Sequence, residues 1–454
     1  MKSFTVEEAV RAVGGEYRGD AKFLKTVVTN VTSDSRTVGK GSLFVAIRGE
    51  RSDGHDYIAP SLAAGAALCI SCREPKDESE TPCVVVGDSV RAVGDLAAWY
   101  RTRFDIPVVG VTGSVGKTTT KEMIYAVLSQ KFRTHKTQKN FNNELGVPQT
   151  LLAMPEDAQA AVIEMGISHF GEMERLADIV RPTIAVIGII GYSHLEFLHD
   201  RAGVLRAKGE IVRNMGPDGL LIVNGDDDLL RDFSPVRRVV YGTEKGFDFV
   251  AENIQNLGQD GVSCSISWRN QSLDVVIPAY GTHMVYAALA AAAVGDALGL
   301  SPDEIRRGIE SYETVGRRAR IVKTDDLTIV DDCYNANPSS VGAAIDSLCG
   351  AAGRRVVILG DMLELGENTK ALHAGVGKKC AEAGVDLVLT CGELSRQIDR
   401  AARENGANAQ WFESRAALIA ALPALLQKGD TVLVKASHSC KFDEITDDLS
   451  ARKF

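Results

Sequence analysis

The sequence has no excess of basic residues, no apolar run long enough to span a bilayer and no framework of paired cysteines. Its 454 residues carry 51 Lys and Arg against 60 Asp and Glu, for a formal net charge of -9. A generic nucleic-acid binder has the opposite balance, so no nucleic-acid partner is expected. An anionic small substrate stays open, because a local cluster of amides and cations can bind one inside an acidic protein. The longest apolar run, Met284–Val294, falls well short of the ~20 residues that cross a membrane. The opening Met1-Lys2-Ser3-Phe4-Thr5-Val6-Glu7-Glu8 lacks the apolar core of a signal peptide. Nine cysteines, an odd number scattered along the chain, fit reduced thiols and a cytoplasmic location better than disulfides. Cys69 and Cys72 have C-x-x-C spacing, but no second pair stands at zinc-site distance; two buried or half-buried thiols are expected. Internal repeats and low-complexity segments are absent too. What remains is ordinary globular composition, 45% hydrophobic and 24% charged. The length suits roughly two to four domains, and three is the working reading. Nothing signals an obligate oligomer, so a monomer is the default.

The first hundred residues read as a small α/β unit. Thr5-Val6-Glu7-Glu8 resembles a capping box opening a helix that ends before Gly14-Gly15. Ser42–Ile47 and Cys83–Val86 are strand candidates, Arg48–Gly54 is turn-rich, and Lys76–Glu80 reads as a solvated loop. The rhythm changes near Asp105-Ile106-Pro107. Beyond it Val108–Thr112, Ala161–Glu164, Thr183–Ile190 and Leu220–Asn224 are short, branched apolar runs separated by helical stretches. That pattern argues for a parallel sheet covered on both faces. Val285–Leu298 is Ala-rich and reads as a buried helix stopped by Gly299. A third βα series runs through Leu327–Val330, Val356–Leu359, Leu387–Thr390 and Val432–Val434, with Gly316-Arg317-Arg318 as the hinge before it.

The most informative stretch is Val108–Thr120, where an apolar strand enters Gly113-Ser114-Val115-Gly116-Lys117-Thr118-Thr119 and a helix follows. Glycines let backbone amides approach phosphate oxygens, and a helix N-terminus adds positive potential. Lys117 would reach the terminal phosphates of ATP or GTP, with the Thr118 hydroxyl on Mg²⁺. The core is G-x-x-G-K-T, shorter than the usual phosphate loop, since the residue five before Gly116 is Val111. Such a loop does not name a reaction.

Ligands of doubly wound sheets gather outside the carboxyl ends of the strands. Three polar clusters fall there: Glu164-Met165-Gly166, His194-Leu195-Glu196 and Asn224-Gly225-Asp226-Asp227. A carboxylate and an imidazole beside a triphosphate could hold Mg²⁺, directly or through water. Asn140–Pro148 is a polar loop rich in amide donors and acceptors, suited to a polar ligand or else to capping a helix. Lys208, in Arg206–Ile211, reads from its neighbours alone as a helix-surface lysine.

Taken in order and spacing, Gly113–Thr120, Asn140–Pro148, Glu164–Gly166, His194–Glu196 and Lys208–Ile211 resemble the Mur ligases. Asp331–Pro338 and Leu359–Gly366 are similar to the branch of that family that adds a dipeptide. The resemblance spans nearly the whole chain, from about Ser33 to the C-terminal strand. It implies an α/β protein of three domains. Residues 1–104 would be a small α/β domain for a UDP-sugar substrate. Residues 105–314 would be the central P-loop ATPase with a mostly parallel sheet. Residues 315–454 would be a Rossmann-like α/β domain for the incoming dipeptide. The implied activity joins D-Ala-D-Ala to the terminal carboxylate of UDP-N-acetylmuramoyl-tripeptide, with ATP and Mg²⁺, through an acyl phosphate.

Residue by residue, the resemblance implies that Lys117 and the amides of Gly113–Gly116 stabilise the transferring phosphoryl group. Thr118 and Glu164 would hold one Mg²⁺, with His194 near a second. Lys208 stands where the family carries a carbamylated lysine, which would overturn its reading as a surface residue. Asn142 and Asn143 would face the tripeptide; Ser35, Arg36, Gly54 and His55 would contact the UDP-sugar. Asp332, Asn335 and Asn337 would lie on the ATP and dipeptide side of the third domain. Two stretches depart from the family pattern. His283-Met284-Val285-Tyr286-Ala287 has Ala287 where an asparagine usually contacts adenine, and Lys435–Cys440 replaces a Gly-Ser-Arg-Gly string, leaving His438 unassigned. Other amide ligases of the superfamily, including folylpolyglutamate-type synthases, would keep the loop, Glu164, His194 and Lys208. The asparagine loop and Tyr334-Asn335-Ala336-Asn337 argue against them. A nucleotide switch would need no third domain.

Overall fold

The computed structural model describes residues 1–49, 52–351 and 353–453. Glu50 and Arg51 of the turn-rich Arg48–Gly54 stretch lie outside the described residues; at its flanks Arg48 and Asp53 are joined by a backbone bridge and an ion pair of 3.1 Å. The described chain is α/β throughout, with sheets of two, five, nine and six strands.

The five-stranded sheet lies in the first hundred residues, in the order Glu16–Arg18, Cys83–Val85, Leu68–Ser71, Ser42–Val45, Asn30–Thr32. The capping box at Thr5 forms both of its hydrogen bonds with Glu8, and the helix Val6–Val13 ends at a left-handed Gly14. The helix Ser89–Arg101 does not stop at this unit. Its Leu96, Ala97 and Tyr100 share a core with Val108, Ile163 and Leu176 of the next. Two expectations are corrected here. Lys76–Ser79 are exposed as expected of a solvated loop, but Glu80 at its end is buried and paired with Arg73 at 2.6 and 2.8 Å. Cys69 is buried inside its strand, but Cys72 falls one residue past the strand end and is exposed.

Val108–Thr112 lies third from one edge of the nine-stranded sheet, between the parallel strands Ala160–Glu164 and Ile184–Ile187. All residues of these three strands are buried, which explains their unbroken apolar sequence. Val108 and Ile163 face one core; Val109, Val111 and Val162 face another, filled by the helices Lys117–Leu128 and Met284–Ala297. The third run is shorter than expected. Pairing stops at Ile187, and the chain then turns along the sheet edge, where Ile189 bridges Val115. Three antiparallel strands, Phe249–Asn256, Val262–Trp268 and Gln271–Ile277, extend the far side and were not anticipated.

The six-stranded sheet of the last third runs Arg320–Lys323, Thr328–Asp331, Thr431–Lys435, Arg355–Gly360, Leu387–Cys391, Ala409–Phe412. Only the first strand is antiparallel. All nine cysteines are free, and no helix among the described residues is long and apolar enough to cross a membrane.

Candidate functional site

The loop after Val108–Thr112 turns on two glycines, Gly113 at φ 151° and Gly116 at φ 77°, conformations that side chains disfavour. The helix Lys117–Leu128 then starts with no side-chain cap. Its first-turn N–H groups are therefore available to an anion, as a phosphate site requires. Lys117 Nζ donates to Gly113 O at 2.9 Å, folding the cation back over the loop. Enclosure pushes its pKa down, Glu164 pulls it up and Arg318 lowers it again.

Behind the loop stands Glu164, at the end of its strand and 1% exposed. It accepts hydrogen bonds from Thr118 Oγ1 at 2.8 Å and Asn142 Nδ2 at 2.7 Å. Lys121, one turn beyond Lys117 and fully buried, lies 3.9 Å from the same carboxylate. The donors fit Mg²⁺: a hydroxyl and a carboxylate are hard oxygen ligands, and this ion keeps several waters and takes the rest of its shell from substrate phosphates. No cluster of three or more His, Cys, Asp or Glu suited to a metal occurs among the described residues.

Lys208, on the helix Arg201–Gly209, is 0% exposed and its Nζ has no hydrogen-bond partner. The surface reading is thus corrected. Burial first, then the charge of Lys117, drives its pKa well below the usual lysine range. Burial of this kind favours the neutral, nucleophilic form of an amine over the ammonium.

A cavity of about 610 Å³ opens between the nine-stranded sheet and the six-stranded one. Of the residues expected at the site, Ser114, Val115, Gly116, Lys117, Thr118, Thr119, Asn142, Asn143, Glu164, His194, Asp332, Asn335 and Asn337 line it. Some of these side chains already serve the fold. Asn143 Oδ1 accepts from the Leu145 and Gly146 N–H groups at the start of the helix Gly146–Leu152, and Asn337 caps the helix Pro338–Leu348. Asp332 pairs with Lys435 at 2.6 Å. Gly113 and Lys208 do not line the cavity. Neither does the third cluster: Asp227 is buried and accepts from the Ile190 N–H, while Asp226 accepts from Tyr286 Oη.

Four other residues sit in the N-terminal unit, away from the cavity. Gly54 is required by packing, since a Cβ would stand 2.6 Å from Ile47 N. His55 is buried, with Nδ1 2.6 Å from Asp53 and Nε2 accepting from the Cys72 N–H, and it lines a separate pocket of about 350 Å³ with Arg48, Arg73 and Asp88. Ser35 and Arg36 line neither; Arg36 is exposed and doubly bonded to Asp34.

Several lining residues had no site role in the sequence reading: Arg318, Tyr334, Ser339 and Lys435 from the last third, and Tyr280 and His283 before the Ala-rich helix. Lys435 could have been found, because it ends a strand. Beside Ala287, the Tyr280 hydroxyl is buried without a partner and His283 Nδ1 lies 3.1 Å from Ser347 Oγ.

A phosphate loop, a buried carboxylate bonded to its threonine, and a second α/β unit closing the same cavity define a nucleotide-dependent enzyme with its site between domains. Comparison with known proteins narrows that class. Models of the Mur ligase family catalytic domain, the Mur ligase middle domain and the Mur ligase glutamate ligase domain match residues 27–109, 111–295 and 316–438. The chain belongs to the Mur ligase family. It is 36% identical over 452 residues to the UDP-N-acetylmuramoyl-tripeptide–D-alanyl-D-alanine ligase of Bacillus subtilis, covering 98% of each chain. Its structure matches a crystal structure of MurF from Acinetobacter baumannii with a TM-score of 0.91, 31% identity and full coverage of both chains. MurF of Thermotoga maritima in complex with ADP matches with a TM-score of 0.84 and 28% identity, over 93% of this chain and 97% of that one.

Proposed function

We propose that this chain joins the amine of D-Ala-D-Ala to the terminal carboxylate of UDP-N-acetylmuramoyl-tripeptide, converting ATP to ADP and phosphate. The product is the pentapeptide precursor of peptidoglycan, made in the cytoplasm by a monomer. One observation carries the reading. Lys117 and the Thr118–Glu164 pair occupy one wall of a cavity whose opposite wall is Arg318, Asn335 and Lys435 of the C-terminal unit. Amide formation from two separate reactants needs such a meeting place.

The tripeptide carboxylate attacks the γ-phosphorus, the bond to ADP breaks, and an acyl phosphate forms. The amine then attacks the acyl carbon, the C–O bond to phosphate breaks, and the ammonium loses a proton to leave an amide. Lys117 and the loop amides stabilise the three-oxygen charge of the transferring phosphoryl group. Thr118 and Glu164 would hold Mg²⁺, with His194 lining the same cavity, and the ion would supply neutralisation of phosphate charge. Burial of Lys208 favours the neutral amine that reacts with CO₂; as a carbamate it would carry an anion toward the same centre. The 350 Å³ pocket with His55 favours the N-terminal unit for the UDP-sugar, and Ser35, Arg36 and Gly54 of the same unit would contact it. Asn142 and Asn143 face the tripeptide; Asp332, Asn335 and Asn337 serve the nucleotide and dipeptide side.

The test is phosphate release from ATP and Mg²⁺ with each organic substrate omitted in turn, and product mass read in parallel. Turnover that needs both substrates and yields a UDP-linked pentapeptide is expected. Hydrolysis indifferent to both would overturn the reading in favour of a nucleotide switch.

A further inference from the structure

Two loops from different sheets meet beside the phosphate cavity, and each is held in a left-handed conformation. His194, at φ 52°, precedes the short helix Leu195–Leu198 of the central unit. Glu364, at φ 61°, follows the C-terminal strand Arg355–Gly360. Residues other than glycine take this region only where their surroundings hold them there. The surroundings here are each other. Glu364 Oε2 accepts a hydrogen bond from His194 Nδ1 at 2.6 Å. The Glu364 carbonyl lies 3.4 Å from the Glu196 N–H that donates to it. A Cβ on Gly366 would stand 3.3 Å from the backbone of Glu196, so the two loops are in close contact along their length. His194 lines the cavity and Glu364 does not.

We propose that Glu364 is a positioning residue: from the C-terminal domain it fixes the tautomer of His194, so that the imidazole is set for the phosphate centre only when that domain is docked. A carboxylate accepts only from a ring N–H, so the pairing places a proton on Nδ1, and in the neutral ring the Nε2 lone pair is then the free one. An imidazole whose other nitrogen donates to a carboxylate is a more basic and better oriented partner for a cation than a free one. The carboxylate arrives on the unit that carries Asn337 and Lys435, which couples assembly of the phosphate centre to the domain that takes the amine. The use of the tautomer rests on the ligase reading, whereas the pair itself does not.

The test uses full-length, metal-free protein labelled with ¹⁵N-histidine, with the His194 signals assigned by their loss in His194→Gln. Wild type is expected to carry the proton on Nδ1. Glu364→Ala, with no acceptor, is expected to move the proton largely to Nε2, at unchanged Tm, and to lower kcat roughly 10- to 100-fold. Glu364→Gln retains a carbonyl acceptor, so the Nδ1–H form and part of the kcat should return. An Nδ1–H tautomer that persists in Glu364→Ala, or wild-type kcat in that variant, would overturn the proposal. The spectra need no substrate, so a wild type that makes no amide would count against the ligase reading and leave the tautomer result standing.

Discussion

Gly191→Ala should slow the enzyme without loosening either of the units it sits between. Gly191 lies in the loop beyond the strand Ile184–Ile187, and its carbonyl accepts from Ser114 Oγ of the phosphate loop at 3.2 Å. An alanine Cβ at this position would stand 2.5 Å from Ser339 Oγ and 3.1 Å from Ser339 Cβ. Ser339 is the second residue of the helix Pro338–Leu348, on the C-terminal side of the cavity. Rotation of the serine hydroxyl relieves the first contact. The second remains, because both carbons are fixed to backbone. Overpacking of this size costs about 1–3 kcal/mol, and here it falls on the contact between domains, since Ser339 alone supplies both of those contacts. If the docked arrangement is the one in which phosphoryl transfer occurs, kcat/KM should fall roughly 5- to 150-fold. The assay is steady-state phosphate release with all substrates, beside a thermal melt that should stay near wild type. Adding Ser339→Gly removes the opposing Cβ and should recover most of the loss. Wild-type kcat/KM in Gly191→Ala, or a double variant no better than the single, would refute the reasoning.

Three further outcomes are expected. Lys117→Ala should lower kcat by at least ~10³-fold, because the transferring phosphoryl group loses its cation; near-normal turnover would remove the loop from the chemistry. Lys208→Ala should be crippled, and short-chain carboxylic acids should restore part of its phosphate release by supplying the missing anion; a fully active variant would reject any such role. Glu80, in the N-terminal unit, has its pKa lowered to about 2, first by hydrogen bonds from the Arg73 guanidinium. The folded pKa lies below the unfolded one, so this stabilisation is present above the unfolded value and is lost as pH falls through the folded one. Urea titrations should show the advantage of wild type over Glu80→Gln, about 1–3 kcal/mol, vanishing between roughly pH 5 and pH 2; an advantage that does not change with pH would exclude the ion pair as its source.

What could be read in advance was whatever is decided within a dozen residues. Val108–Thr112 and Leu220–Asn224 are buried on both faces, so each is a short unbroken apolar run wherever it sits in the sheet. The phosphate loop is likewise local, a strand end, two special glycines and a helix start. The strand Val262–Trp268 also carried its signal, since Val262, Cys264, Ile266 and Trp268 alternate with serines and are the buried set. That period of two marks a half-buried strand, although the segment drew no assignment from the sequence. Burial of single polar residues was not legible by any local rule. Arg206 and Lys208 stand two apart on one helix, the first exposed and the second at 0%, and only the packing around them distinguishes the two.

The least legible part is the one that completes the site. Lys117 and Thr118 open the helix that follows the strand Val108–Thr112, Glu164 ends the adjacent strand Ala160–Glu164, and the strand-end rule brings them together from sequence alone. Lys435 meets the same rule in its own sheet, but nothing local says that the two sheet edges face one cavity. Glu364 falls in Leu359–Gly366, a string that the family resemblance marks, but no local rule gives it a role. It sits in a loop after a strand, it is half exposed, and it matters only through His194, 170 positions earlier. A chain can therefore advertise the half of its chemistry that binds the nucleotide while concealing the half that decides when to use it. The nucleotide half depends on backbone geometry that tolerates few residues. The other half is one hydrogen bond across a domain boundary, and a Glu in a loop is ordinary until the partner is known. For a reaction whose acyl phosphate must wait for an amine and not for water, the second domain is where that timing belongs, and an acceptor carried on that domain is the simplest device that supplies it.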